Sequence, residues 1–429
     1  MGAWPSLSNV IFALILATGV GYFTYNMRRL IALIKKGRPI GTVEDKKQRW
    51  RNVLYIALGQ SKLVKRPLSG VMHVLVYLGF IIINIEVLEI VIDGLFGTHR
   101  IFQFIGPAYG VLIGLFEVLA VLVFIAVVVF WLRRNALKLK RFWSPEMKGW
   151  PKTDANLILY FEMVLMGLFL MMNATDLSFQ QMNQGNWVSG SIYALIQNWP
   201  EAQLHMVERF CWWVHIIGIL GFLNYLYFSK HLHILLAFPN VYFGPTNNPG
   251  QFENLDSVTE QVKLMMDPAA DPYAAQPEGT VPEKFGASDV TDLTQVQLLN
   301  AMTCTECGRC TSECPANQTG KLLSPRKIMM DTRDRLMALP KEGDSKQLLD
   351  DYITREELWA CTTCNACVEA CPVSIDPVSI IMSMRQYLVM EQSAAPSELN
   401  VTMSNIENNA APWPFNQQDR GNWINEIRK

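Results

Sequence analysis

Cys304-Thr-Glu-Cys307-Gly-Arg-Cys310-Thr-Ser-Glu-Cys314-Pro315 is the stretch on which the reading of this chain turns. Cys361-Thr-Thr-Cys364-Asn-Ala-Cys367-Val-Glu-Ala-Cys371-Pro372 repeats its pattern. Both runs follow C-x2-C-x2-C-x3-C-P, the spacing that holds a [4Fe–4S] cluster. Soft thiolates select iron–sulfur clusters or zinc. A structural zinc site takes one group of four ligands, commonly two separated C-x2-C pairs. Here three cysteines crowd together ahead of a fourth that precedes a proline, twice over, so two iron–sulfur clusters are expected. The runs use eight of the nine cysteines. The ninth, Cys211, lies beside Trp212 and Trp213 and reads as a small buried apolar residue.

Working outward, 50% of the 429 residues are apolar and 17% are charged, against about 25% charged in soluble domains. That deficit points to a membrane, and a net charge of −1 gives no reason to expect nucleic acid. Five segments have the length and apolarity of spanning helices, near 7–26, 70–96, 108–132, 156–175 and 209–236. Twelve Lys and Arg lie between Arg28 and Arg66, five more follow the third span from Arg133 to Arg141, and the 173–207 connection has none. The positive-inside rule then places the N-terminus outside and the basic loops inside. An odd number of spans delivers residue 237 onward to the cytoplasm of a bacterial inner membrane, the reducing side that thiolate clusters need. Trp187, Tyr193 and Trp199 in the outer connection suit a short interfacial element.

Residues 244–289 are rich in Pro, Gly, Asn and Asp and read as a linker, with a helical pattern only near 255–266. Helical pattern returns at Val290–Thr303 and again at Pro325–Ala338 and Ser345–Tyr352, between the two cysteine runs. The expected fold is all-α: a five-helix membrane domain (1–243), the linker (244–289), a helical two-cluster domain (290–395) and a docking tail (396–429). In two-cluster ferredoxins the fourth cysteine of each run ligates the other cluster. Cluster one is therefore expected on Cys304, Cys307, Cys310 and Cys371, and cluster two on Cys361, Cys364, Cys367 and Cys314.

Six histidines are present. His73 falls at the cytoplasmic start of the second span. His215 and His233 lie eighteen residues apart, five turns of an ideal helix, so on one continuous helix both face the same way. His231 lies about 160° off that stripe. His73 and His233 are the expected ligands of one haem b at the cytoplasmic edge, with His231 as the alternative. Intramembrane acids are costly and mark function or interhelical bonding. Glu86, Glu89, Glu117 and Glu162 are such acids. Glu86 and Glu117, with His215, are the candidates for handling quinone and its protons.

The run His215-Ile-Ile-Gly-Ile-Leu, with Phe228-Ser229-Lys230-His231-Leu232-His233-Ile234, resembles the last helix of the γ-subunit family of respiratory nitrate reductase. In that family the second and fifth helices each give two histidines to two stacked haems. By this resemblance His73 and His233 form the cytoplasm-side pair, and His215 is half of a second haem site whose partner position is Ile83 here. His99 and His205 are the remaining candidates for that partner. The long helical insert between the cysteine runs resembles the ferredoxin of the heterodisulfide reductase C subunit and of the succinate dehydrogenase iron–sulfur subunit. The resemblances imply a membrane-anchored subunit of a quinone-linked oxidoreductase. It would relay electrons between quinone, haem b, two [4Fe–4S] clusters and a cytoplasmic partner, such as a CCG-domain protein or a flavoprotein. The alternative is a haem-free anchor for the ferredoxin domain. No G-x-G-x-x-G and no adjacent Cys-Cys occurs, so a terminal catalytic centre is expected in a partner.

Overall fold

A computed structural model describes residues 6–246, 250–252, 254–269, 284–339 and 345–428. Residues 247–249, 253 and 270–283 of the expected linker lie outside them. Among the described residues the chain is helical and has no strand, only two isolated bridges, Arg38–Thr294 and Leu349–Ile353.

Five helices are long and apolar enough to cross a membrane. We label them α1 (Leu7–Ile34), α2 (Pro67–Phe96), α3 (Pro107–Trp131), α4 (Trp150–Thr175) and α5 (Glu201–Tyr225). At 25 to 30 residues each, they run about 37–45 Å against a hydrocarbon core of about 30 Å. Leu14, Val111, Val164 and Phe210 stay exposed on their flanks, as lipid-facing residues do. The start of α1 is fixed by a Ser6–Asn9 capping box. Asn9 Nδ2 then donates to the Gly94 carbonyl at 2.7 Å, tying α1 to the end of α2.

The fifth span departs from expectation. It begins eight residues early and does not run through to residue 236. After Tyr225 the chain tightens into a 3-10 turn, extends at Ser229 (φ −116°, ψ 151°), turns again over Lys230–Leu232, and only then starts α6 (His233–Phe243). Asp154 of α4 grips this break: its carboxylate accepts from Tyr225 Oη at 2.6 Å and from the Lys230 amide at 3.1 Å. The five-turn register between His215 and His233 is therefore interrupted, because a buried carboxylate from another helix satisfies the backbone that the break exposes.

The cluster region contains α7 (Gln295–Thr303), α8 (Arg309–Glu313), α9 (Pro325–Ala338), α10 (Ala366–Ala370), α11 (Pro377–Met390) and, in the tail, α12 (Ser397–Asn409). Val290–Thr303 is not one helix: Leu293 is extended, and Thr294 caps α7 through a box with Gln297. Residues 345–352 are not helical either. Leu348 and Leu349 both drop into the core, the turn passes through Asp350 at φ +71°, and Asp289 accepts from the Leu348 amide at 3.0 Å.

One apolar core joins the two halves. Leu30, Leu33, Leu232 and Leu236 from the bundle pack with Val290, Leu293, Leu298, Met302 and Ile380 from the cluster region. Arg38 exchanges backbone hydrogen bonds with Leu293 and Gln295 at 2.8 and 3.0 Å. A Cβ on Gly37 would meet the Leu293 carbonyl at 2.7 Å, so only glycine allows this approach.

Candidate electron-transfer sites

Each cysteine run folds in the same way. Cys304 leaves the end of α7 in extended conformation. Glu306 (φ +55°) and Gly308 (φ +73°) then take left-handed turns, α8 follows, and Cys314 is extended before Pro315. In the second run Thr363 (φ +55°) and Asn365 (φ +58°) occupy the equivalent turns, α10 follows, and Cys371 is again extended. Single left-handed residues bend the backbone sharply between the closely spaced cysteines. Gly308 is needed for a second reason: a Cβ there would meet Arg326 Nη1 at 2.5 Å.

Packing of α8 on α10 brings the two runs together. Cys314 of the first run lines one small apolar cavity with Cys361, Cys364 and Cys367 of the second. Cys371 of the second run stands electrostatically beside Cys310 and Cys307 of the first. Two sets of four thiols are the donor set that two clusters require. Burial pushes Cys304 up to about 12 and Cys371 up to about 11, so these sulfurs become thiolates only with a cation to balance them, as bound iron does. Arg309 and Arg141 face Cys307, and the Arg385 guanidinium donates to the Cys361 carbonyl at 2.5 Å. Positive charge beside a cluster favours its reduced form.

His73, His231 and His233 gather at one end of the bundle, and His99, His205 and His215 stand apart from them. His73, at the start of α2, and His233, at the start of α6, have ring centroids 6.3 Å apart. Two imidazoles bound to opposite sides of one iron have centres about 6 Å apart, given metal–nitrogen bonds of about 2 Å. His73 Nδ1 faces Gln60 Oε1 at 3.1 Å, and His233 Nδ1 faces the Lys230 carbonyl at 3.1 Å. With Nδ1 donating, both rings keep Nε2 as a lone pair, the usual outer support of a metal-binding histidine. Burial lowers His233 to about 4, so it is neutral. These residues fit a bis-histidine haem. His231 lies 5.4 Å from His233, edge-on to Phe222, with its Nδ1 4.0 Å from Glu162.

His215 is buried against Phe169, 6.2 Å between rings, in the apolar cluster that also holds Ile83. Its Nδ1 has no hydrogen-bond partner among the described residues. His99 binds Asp176 at 3.1 Å, and His205 is largely exposed beside Glu208. Neither is brought against the His215 ring.

Glu86 is 3% exposed, and one of its oxygens has no hydrogen-bond partner among the described residues. It lines a cleft of about 270 Å³ at the end of the bundle away from the clusters, with Glu89, Arg100, Asp176, Glu208 and Trp212. Glu117 is committed elsewhere: it accepts from Asn173 Nδ2 (3.1 Å) and from the Val188 and Ser189 amides (2.8 and 3.0 Å), anchoring the short helix Ser189–Ile196. Its oxygens are taken up in holding the structure together, whereas Glu86 and His215 each keep a polar atom without a hydrogen-bond partner among the described residues.

Sequence reasoning missed the charges that join the halves. Lys230 pairs with Glu306, which also accepts from Arg333 at 2.8 Å. Arg326 is fully buried against Glu146 and the Arg141 carbonyl. Lys230 and Glu306 stand inside the two motifs, but no spacing signal ties one to the other.

Residues 297–372 match the 4Fe-4S dicluster domain family. The chain is 29% identical over 456 residues to the probable iron-sulfur-binding oxidoreductase FadF of Bacillus subtilis, across 97% of this chain and 61% of that protein. It is 25% identical over 414 residues to the EtfAB:quinone oxidoreductase of Syntrophomonas wolfei, across 86% of this chain and 53% of that protein. Over 122 residues it is 31% identical to a heterodisulfide reductase C subunit of Methanosarcina acetivorans, covering 28% of this chain and 66% of that one. The chain thus spans little more than half the length of the first two relatives. No solved structure matches it. The chain thus joins a 4Fe-4S dicluster domain to five helices long and apolar enough to anchor it in a membrane, and it is similar to a probable iron-sulfur-binding oxidoreductase along most of its own length and to a heterodisulfide reductase C subunit over the cluster region.

Proposed function

We propose that the chain relays electrons between membrane quinone and a cytoplasmic redox partner through one haem b and two [4Fe–4S] clusters. The observation that carries this reading is the His73–His233 pair, whose rings stand 6.3 Å apart by their centres at the bundle end that meets the cluster region. His73 and His233 would hold the haem, which when bound supplies a one-electron carrier. Gln60 and Lys230 fix the tautomers of the two rings. Cys304, Cys307, Cys310 and Cys371 would hold cluster one; Cys361, Cys364, Cys367 and Cys314 would hold cluster two. Cys364 is exposed, which supports a surface position for cluster two, where a CCG-domain protein or flavoprotein would dock. Glu86 and His215 each keep a polar atom without a partner among the described residues and are the residues proposed to meet quinone or its protons.

The proposed limits are 1–243 for the membrane domain, 244–289 for the linker, 290–395 for the cluster domain and 396–429 for the tail. Ala287 and Ser288 at the linker's end are already buried. The proposed orientation in a bacterial inner membrane is N-terminus outside and clusters in the cytoplasm, the reading that the basic loops support.

Haem and iron counted on one detergent-purified sample test this. One haem b and about eight cluster irons per chain, with haem lost in His73→Ala, is the expected result. Full iron without haem would instead favour a haem-free anchor, the reading that the shared apolar core also supports. Two haems would mean that His215 has found a partner.

A further inference from the structure

Lys230 stands where the break in the bundle meets the first cysteine loop. Its amide donates to Asp154, its carbonyl accepts from His233 Nδ1 at 3.1 Å, and its ammonium donates to the Pro151 carbonyl at 2.7 Å and pairs with Glu306. The Lys230 and Glu306 side chains are 8% and 3% exposed. Glu306 lies between Cys304 and Cys307 in a left-handed turn, and Arg333 binds its other oxygen at 2.8 Å. A single residue thus holds the His233 ring by its backbone and the cysteine loop by its side chain.

The pairing is balanced. Asp154 and Glu306 bring two negative charges, Lys230 and Arg333 two positive ones, and buried charges persist only when paired and hydrogen-bonded. Without the ammonium the two carboxylates are no longer bridged, and the loop is free to move from the bundle. On the other side of the loop, Arg309 reaches the Leu63 carbonyl at 3.2 Å and the Ser69 hydroxyl at 3.4 Å, beside the start of α2 and His73. The first cysteine run is therefore gripped against both histidine-bearing segments.

We propose that Lys230 is a positioning residue that orients His233 and sets its separation from the Cys304–Cys307 loop, making cluster one the partner of the histidine pair in electron exchange. The inference rests on the haem reading of that pair. The exchange is of one electron: one centre is oxidised as the other is reduced, and no bond or proton moves. Cluster two, with exposed Cys364, then faces the soluble partner.

The test uses the full-length protein and the variants Lys230→Met, Lys230→Arg and Glu306→Gln. Haem content, the low-spin haem electron paramagnetic resonance signal and the rate of haem-to-cluster transfer are measured on each. Lys230→Met keeps the carbonyl that holds His233 but removes the ammonium that anchors this turn to the cysteine loop; it is expected to keep haem, shift its signal and slow transfer by roughly 10–100-fold, the usual cost of disturbing a ligand's outer shell. Lys230→Arg should restore the wild-type signal and rate. Glu306→Gln should leave the haem signal alone and still slow transfer. If Lys230→Met fails to fold, Glu306→Gln decides the matter. Unchanged transfer in Glu306→Gln, or an unchanged signal and rate in Lys230→Met, overturns the proposal while leaving the haem reading intact. Absence of haem from the wild-type protein overturns both.

Discussion

Arg326→Met should separate the stability of the cluster region from its chemistry. Arg326 opens α9 and reaches into the loop between α3 and α4. Its Nη2 and Nε donate to Glu146 Oε1 at 2.6 and 3.3 Å, and its Nη1 donates to the Arg141 carbonyl at 2.6 Å. The arginine side chain is 0% exposed and that of Glu146 12%. Methionine would leave the carboxylate to the Ser324 hydroxyl, 2.8 Å away. Breaking one side of a buried pair costs about 3–5 kcal/mol. At about 2–4 °C per kcal/mol for a unit of some 150 residues or more, the unfolding midpoint should fall by about 6–20 °C. Thermal bleaching of the cluster absorbance in detergent reads it directly. The double variant Arg326→Met/Glu146→Leu removes both charges and should recover most of the loss, since apolar replacement of a buried pair is often neutral. Burial pushes the Glu146 carboxyl up, but the hydrogen bond and charge of Arg326 outweigh this and hold it below the ordinary value. The pair's stabilisation is therefore complete above the ordinary carboxylate range and is lost as pH falls through the depressed folded value. Wild type and variant should converge in acid. A single variant as stable as wild type, or a double variant no better than the single, would refute the buried-pair reasoning.

Three further outcomes follow from the geometry. Cys314→Ser should weaken the cluster whose other ligands are Cys361, Cys364 and Cys367, and Cys371→Ser the one formed by the first run; electron paramagnetic resonance of the reduced variants distinguishes crossed from uncrossed ligation. Glu117→Ala should strip the acceptor from the Val188 and Ser189 amides and cost about 1–3 kcal/mol per stranded buried group, seen as a lower melting midpoint with haem and iron contents unchanged. His233→Ala should abolish haem binding with the cluster irons intact, and His215→Ala should keep the haem.

Much of the architecture was legible because its signals are local. A spanning helix is written in its own 25 to 30 residues, so all five appear, with errors at their ends and, in the fifth, a break within the expected span. Ser345–Tyr352 misled for the opposite reason: its apolar pair Leu348–Leu349 looked helical, but both side chains are claimed by the core and the turn's amides by Asp289 and Asp351. Glu117 and Glu86 read alike as isolated membrane acids. Only the folded bundle gives one of them three donors and leaves the other with an oxygen unpartnered among the described residues.

By itself the sequence determined the helical membrane bundle, the iron–sulfur dicluster region and the residue types at each candidate site, because cluster spacing and apolar length are properties of short, contiguous stretches. Tertiary structure decided which candidates meet. It broke the fifth span at Ser229, because Asp154 from a different helix could satisfy the exposed backbone. That break turned His233 towards His73 and left His215 among Phe169 and Ile83. It also set Lys230 against Glu306, 76 positions away. Pairings of this kind depend on burial, and burial is a property of the whole fold.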